Sequence, residues 1–309
     1  MKALITGGAG FIGSHVADGY LAEGLDVVIA DDLSRGAQHN MPARARFYRV
    51  DLRKRAALEK IFAKEKPDVI NHHAAQIDVR RAVKEPAFDA ECNILSSIHL
   101  LELAVQHKVK RFIYASTGGA IYGEPDKLPA DEQTPVLPIA PYGISKHTVE
   151  HYLFLYQKLY GLPYVVLRYG NVYGPRQSPK GEAGVVAIFC QQMLQKVTPT
   201  IYGDGKKTRD YIHVHDVRRA NIKALTRGDG EIFNIATGVA TTDYEIFTAV
   251  RNAMSISGLE PNFASKRPGE IDHIVLDVTK AHSGLEWRSK VSLPDGIRKT
   301  AEWFKAHTR

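Results

Sequence analysis

Six short runs rich in β-branched and aromatic residues mark the first 170 residues: KALIT at 2–6, DVVIAD at 26–31, RFYRVD at 46–51, DVINHH at 68–73, RFIYAS at 111–116 and YVVLRY at 164–169. Between most of them lie segments with helical periodicity, such as Ala56–Lys64 and Phe88–His107. Strands that alternate with helices pair in parallel through crossover connections, so the pattern predicts an α/β fold: a doubly wound parallel sheet with helices on both faces. After Tyr169 the pattern loosens into NVYGPRQSPKGEAG, then a helix near Val185–Lys196, a strand at Thr200–Tyr202 and the polar turn GDGKKTRD. This reads as a smaller second region. Its loops would roof the carboxyl ends of the strands, where ligands bind in open α/β sheets. The sequence has no internal repeat, low-complexity tract or long linker.

A chain of 309 residues can bury a core without disulfide or metal staples. Cys92 and Cys190 lie far apart and outside any metal-ligand spacing, which suits two thiols in a reducing cytoplasm. MKALITGG runs straight into the first strand with no export signal, and no apolar run approaches the roughly 20 residues that cross a bilayer. The expectation is a cytoplasmic protein with no membrane partner. The formal charge of +7 comes from 41 scattered Lys and Arg, with no basic arm or aromatic-interleaved patch, so nucleic acid is not expected either.

Directly after the first run comes Thr6-Gly7-Gly8-Ala9-Gly10-Phe11-Ile12-Gly13, then a helical stretch from Ser14. Glycines at 7, 10 and 13 allow a tight turn and let backbone approach a pyrophosphate, whose charge the free N–H groups of a helix start would stabilise. The next strand ends in Asp31-Asp32, where a carboxylate can accept from both adenosine ribose hydroxyls and would repel a 2′-phosphate. NAD is therefore expected over NADP. Asp51, at the end of the third strand, is either an adenine contact or a cap for the following helix.

Pro141-Tyr142-Gly143-Ile144-Ser145-Lys146 opens a long helix, and the i,i+4 spacing puts Tyr142 and Lys146 on one face. An ammonium one turn away, with a positive nicotinamide ring, would favour the phenolate and make Tyr142 a useful base; the bland alternative is an interfacial Tyr beside a surface Lys. Upstream, RFIYAS runs into Ser116-Thr117-Gly118-Gly119-Ala120-Ile121-Tyr122-Gly123, which sets hydroxyls at the carboxyl end of a central strand, either as turn residues or as partners for a substrate oxygen.

With these residues in place the chain resembles, over essentially its full length, the extended short-chain dehydrogenase/reductase family, and within it the UDP-glucose (UDP-galactose) 4-epimerases. The stretches that carry the resemblance are TGGAGFIGSH, the Asp31 strand end, HHAAQ, the Asn93 helix, STGGAIYGE, PYGISK, LRYGNVYGPRQ, GEAGVVAIF, YGDG, RDYIHVHD and FNIATG. It implies a Rossmann sheet over 1–170, to which the chain returns at about 208–240, and a C-terminal α/β substrate-binding domain from 171–207 and 241–309. It implies Thr117, Tyr142 and Lys146 as the catalytic set. Gly7, Gly10, Phe11, Ile12, Gly13, Asp31, Asp32, Asp51, Leu52, Ala74, Ala75, Asn93 and Tyr169 would contact NAD, together with Tyr142 and Lys146. Asn171, Val185, Tyr202, Arg209, Arg267 and Glu270 would line the nucleotide-sugar pocket with Thr117. The implied reaction inverts carbon 4 of a UDP-hexose through a transient 4-keto sugar that turns over within the site. The resemblance also implies a homodimer through two helices per subunit.

Three departures stand out. STGGAIYG is one residue longer than the common SSATVYG form, Glu270 replaces an expected Asp, and His73 stands where a bulky apolar residue is usual. Related 4,6-dehydratases and decarboxylases place an acid just after the strand-end Thr; here those positions are Gly118 and Gly119. Epimerases of N-acetylhexosamine or hexuronate sugars remain alternatives, and Ile274 hints at room for more than a plain hexose. An inactive NAD-binding regulator is a further alternative that retention of both Tyr142 and Lys146 argues against. His147-Thr148-Val149-Glu150-His151 spells an inverted zinc-protease motif, and His213, His215 and Asp216 are another possible ligand trio, but neither has the context of a metal site and none is expected.

Overall fold

The computed structural model describes residues 1–180, 184–266 and 271–307. Seven parallel strands form the main sheet: β1 (Lys2–Thr6), β2 (Asp26–Asp31), β3 (Arg46–Arg49), β4 (Val69–His72), β5 (Arg111–Thr117), β6 (Tyr164–Tyr169) and, after an excursion, β10 (Glu231–Ile235). Their order is β10-β6-β5-β4-β1-β2-β3. The order reverses between β1 and β4, and this switch point places the glycine loop after β1 beside the loop after β4. All six expected strands are present, two of them shorter by a residue or two at their ends.

The excursion builds two smaller sheets from β7 (Asn171–Tyr173), β8 (Thr200–Tyr202), β9 (Thr208–His213), β11 (Ala240–Thr242) and β12 (Asn262–Ala264). One has the order β11-β9-β7; the other pairs β12 with β8. The segment Thr208–His213 thus joins the smaller sheet, and the chain re-enters the main one at β10.

Each face of the main sheet carries an apolar core, because strands covered on both sides place every other residue in each layer. Ile5, Ile29, Val165 and Phe233 pack on one face; Leu4, Val28, Phe112 and Val166 pack on the other. A third cluster around Phe189, Phe247 and Phe304 holds the C-terminal helices together. A fourth, with Ile121, Tyr122, Ile274 and Leu276, seals the loop after β5.

Two helices position the chemistry. One runs continuously from Pro86 to Gln106 and contains a π-helical turn at Glu91–Leu95; such turns commonly mark functional positions. The other, Pro141–Tyr160, starts with proline in its first turn, where the missing N–H costs nothing, and stops at Gly161, which adopts the left-handed φ of 67°. No described helix is long and apolar enough to cross a membrane.

Candidate active site

The glycine loop presses against the loop after β4. Gly7 has φ 67°, and a Cβ there would lie 2.6 Å from the Ala74 nitrogen; a Cβ on Gly13 would fall on the Gly7 carbonyl oxygen. Gly10 N donates to that same oxygen at 3.0 Å, and the helix Phe11–Ala22 follows at once with Gly10 as its cap. The result is a concave run of backbone at a helix start that no side chain can fill, which suits an anionic diphosphate. Phe11 and Ile12, half-buried, open this helix.

Asp31 ends β2, buried. Its two carboxylate oxygens accept from Ala9 N at 3.0 Å and Leu33 N at 2.8 Å, so each retains lone pairs for a further donor. Burial pushes its pKa up, against those two donors. Asp32 is exposed and bonds Ser34. Asp51 lies just past β3 and pairs with Arg53, whose hydrogen bond comes first among the causes that lower its pKa; the helix it was a candidate to cap begins later, at Arg55. Leu52 is buried. Ala74 N donates to Thr6 Oγ1 at 3.3 Å, and Ala75 is half-buried beside it. The Asn93 carboxamide clamps this loop, accepting from Gln76 N at 2.8 Å and donating to Gln76 O at 3.0 Å and to Asp89 at 3.0 Å.

At the carboxyl end of β5 the two hydroxyls part company. Ser116 Oγ is buried and donates to Glu150 Oε1 at 2.7 Å. Thr117 is half-buried, in register with Tyr169 of β6, and shares with Asn171 the space beside Gly119. After Thr117 the chain forms a short helix, Gly118–Ile121. A Cβ on Gly118 would collide with the buried side chain of Leu276, so this position cannot carry an acid without repacking the cluster around it. Ile274 lies within that cluster, fully buried.

Tyr142 and Lys146 lie one turn apart on the Pro141–Tyr160 helix. The ammonium of Lys146 is buried, donates to Ala115 O at 2.8 Å and sits 4.8 Å from the centre of the Tyr114 ring. Burial lowers its pKa to about 8, against the pull of Asp89 and Glu150. Burial also pushes the Tyr142 phenol well above its ordinary range, and Asp89 pushes it further. Lys146 spends a hydrogen bond on a backbone carbonyl, and in the protein alone burial works against ionisation of the phenol.

Tyr169 is buried, accepts from Asn221 Nδ2 at 2.8 Å and stacks on His73 with ring centres 6.1 Å apart. The His73 ring thus fills an apolar place by stacking, and burial lowers its pKa to about 3. On the sugar side, Asn171 opens β7, Val185 begins the helix Val185–Leu194 and Tyr202 ends β8. Arg209 is oriented by carbonyls of Thr208 at 2.9 Å, Ile271 at 2.6 Å and Asp272 at 3.2 Å. Arg267 and Glu270 lie outside the described residues. His147 and His151 face each other with ring nitrogens 3.0 Å apart, and the buried Glu150 carboxylate meets His147 Nδ1 at 3.4 Å but is committed to Arg168 and Ser116. Among the described residues no group of three or more His, Cys, Asp or Glu is arranged to hold a metal.

Residue pattern alone misses the buried layer beneath these groups. Glu150 pairs with Arg168 at 2.6 Å; Arg168 also donates to Tyr122 at 2.8 Å, and Tyr122 to Asn234 at 2.8 Å. The one available signal is an arginine inside the otherwise apolar strand YVVLRY.

The pattern of the NAD dependent epimerase/dehydratase family matches residues 3–236. A UDP-glucose 4-epimerase of Mycolicibacterium smegmatis is 42% identical over 311 residues, covering 99% of each chain. The crystal structure of a UDP-glucose 4-epimerase from Thermotoga maritima with UDP-glucose superposes with a TM-score of 0.98 at 46% identity, covering 100% of both chains. That of a Thermus thermophilus UDP-glucose 4-epimerase in complex with NAD gives 0.94 at 43% identity, again covering 100% of both.

Proposed function

The chain belongs to the NAD dependent epimerase/dehydratase family, and from that premise we propose that it is a UDP-glucose 4-epimerase, inverting carbon 4 of UDP-galactose and UDP-glucose through a transient 4-keto sugar. The observation that carries this reading over dehydration or decarboxylation is Gly118, which is packed against Leu276 where those reactions need an acid.

The cradle of Gly7, Gly10 and Gly13 fits the diphosphate of NAD, and buried Asp31 fits the adenosine ribose hydroxyls. When bound, NAD supplies a reversible hydride acceptor and a positive ring charge beside the phenol. Tyr142 takes the proton from the sugar 4-hydroxyl and returns it to the same oxygen once the keto sugar has turned its opposite face to the cofactor site. Thr117 orients that oxygen, and Lys146 holds positive charge behind the pair. Ser116 is committed to Glu150, which favours Thr117 as the working hydroxyl. Asp32, Asp51, Leu52, Ala74, Ala75, Asn93 and Tyr169 frame the cofactor site. Asn171, Val185, Tyr202 and Arg209 line the uridine and diphosphate side. The reading divides the chain into the dinucleotide domain over 1–170, with a return at about 208–240 whose first strand, Thr208–His213, pairs in the smaller sheet, and the nucleotide-sugar domain over 171–207 and 241–309.

A homodimer is part of the same reading. Leu95, Ile144, Phe154, Leu155 and Leu159 expose apolar surface along the Pro86–Gln106 and Pro141–Tyr160 helices, which a two-fold partner would cover. The two free thiols, Cys92 and Cys190, agree with a cytoplasmic setting.

The test is incubation of purified protein with UDP-galactose, without added NAD, followed by NMR of the sugar. UDP-glucose appears if the reading holds, and Tyr142→Phe lowers the rate about 10³-fold while NAD stays bound. Unchanged UDP-galactose over many hours would sink the assignment.

A further inference from the structure

Between Tyr142 and Lys146 lies Ser145, whose hydroxyl donates inward to Asp89 on the neighbouring helix. Asp89 is completely buried. Its carboxylate also accepts from Gln76 Nε2 at 3.0 Å and Asn93 Nδ2 at 3.0 Å. Three segments therefore converge on it: the loop after β4, the π-helical turn and the first turns of the Pro141–Tyr160 helix. All three donors are neutral. A buried carboxylate held without a cation is a costly way to join three segments, and a neutral polar side chain could make much the same contacts.

We propose that Asp89 is a positioning residue for the Tyr142–Lys146 pair, anchoring its helix through Ser145 and supplying the negative charge that tunes both groups. The inference rests on the reading of the preceding subsection.

The other charged and titratable groups around the pair are accounted for. Glu150, one turn beyond Lys146, is neutralised by Arg168 at 2.6 Å. Tyr114 of β5 lies against Lys146, and burial holds its phenol protonated. His72 and His73 at the end of β4 are held neutral, by burial first and then by the charge of Lys146. Glu150 still adds to the pull on Lys146, but among the described residues Asp89 is the carboxylate that acts on both members of the pair. It raises the pKa of Tyr142 and, in the same direction, that of Lys146.

That common sign gives a signature which loss of structure does not mimic. Removing the charge makes Tyr142 easier to deprotonate and Lys146 easier to neutralise. Both limbs of the pH profile of kcat then move to lower pH, by about one unit, as expected for one nearby charge. The experiment compares wild type, Asp89→Asn and Ser145→Ala, with Asp89→Ser as a second neutral variant should asparagine impair folding. Expected is a profile translated to lower pH for the neutral variants at position 89 and a reduced but unmoved profile for Ser145→Ala. A neutral variant with reduced amplitude and unmoved limbs overturns the inference.

A second readout does not depend on turnover. In lysine-labelled protein, the NMR resonance missing from Lys146→Arg titrates near 8 in wild type and at least half a unit lower in Asp89→Asn; equal midpoints overturn the inference. If wild type fails to epimerise UDP-galactose, the reading of the preceding subsection falls, and the lysine titration still decides the role of Asp89.

Discussion

The Ser116 hydroxyl donates to the Glu150 carboxylate at 2.7 Å, across 34 residues of sequence, so the first of two adjacent hydroxyls at the end of β5 faces the protein interior. The second, Thr117, faces the site. Thr117→Val should cut turnover by about 10²-fold with little change in stability. Ser116→Ala should keep most of the activity and lose about 2 kcal/mol, the worth of a hydrogen bond to a charged group. Urea unfolding beside the UDP-galactose assay separates the two effects.

Glu150 and Arg168 form an ion pair with both side chains buried. Burial would raise the pKa of Glu150, yet donors from His147, Arg168 and Ser116 hold it below its ordinary value. Glu150→Ala leaves the guanidinium buried without its anion and should cost about 3–5 kcal/mol. Replacing both residues by apolar ones should recover most of that loss. A double variant no more stable than the single one would show that the pair is not what holds these two elements together.

Two buried histidines set a pH limit on stability. Burial lowers His15 to about 4 and His213 to about 3, against an ordinary value of 6.5. Both contribute fully above pH 6.5, and the contribution is lost as pH falls from there toward 4, because the unfolded chain takes up protons that the fold refuses. Each should add about 1.4 kcal/mol per pH unit to the slope within that window. Urea unfolding at pH 7.5 and 5 measures it, and His213→Asn should flatten the slope.

Gly13→Ala places a methyl group on the Gly7 carbonyl oxygen. The protein should still fold on its remaining core but purify with at most a tenth of the NAD found in wild type, measured by absorbance after denaturation. Normal cofactor content would remove this turn from the diphosphate site.

Six of the seven strands of the main sheet were legible because each carries its own signal, KALIT, DVVIAD and YVVLRY matching residue for residue; β10, which pairs with β6 after a long excursion, was not. The nearness of Tyr142 and Lys146 was legible too, since helical spacing fixes it. Contacts between distant segments were not. Nothing in the sequence tells that Asp89 meets Ser145, 56 residues away, or that Glu150 turns inward to Arg168 while His151 stays exposed. Spacing names the face of a helix but not which face is covered. The partner of the Lys146 ammonium was hidden for a related reason: i,i+4 geometry places the ammonium near Tyr142 without showing that it binds Ala115 O.

Gly118 against Leu276 has a consequence for how this chain could change its chemistry over evolutionary time. An acid at 118 arriving first overpacks a sealed cluster, at about 1–3 kcal/mol, while a smaller residue at 276 arriving first leaves a cavity costing about 2–5 kcal/mol. Either order passes through a weakened ancestor that gains nothing until the second substitution arrives. The type of reaction is thus guarded by a leucine that takes no part in it.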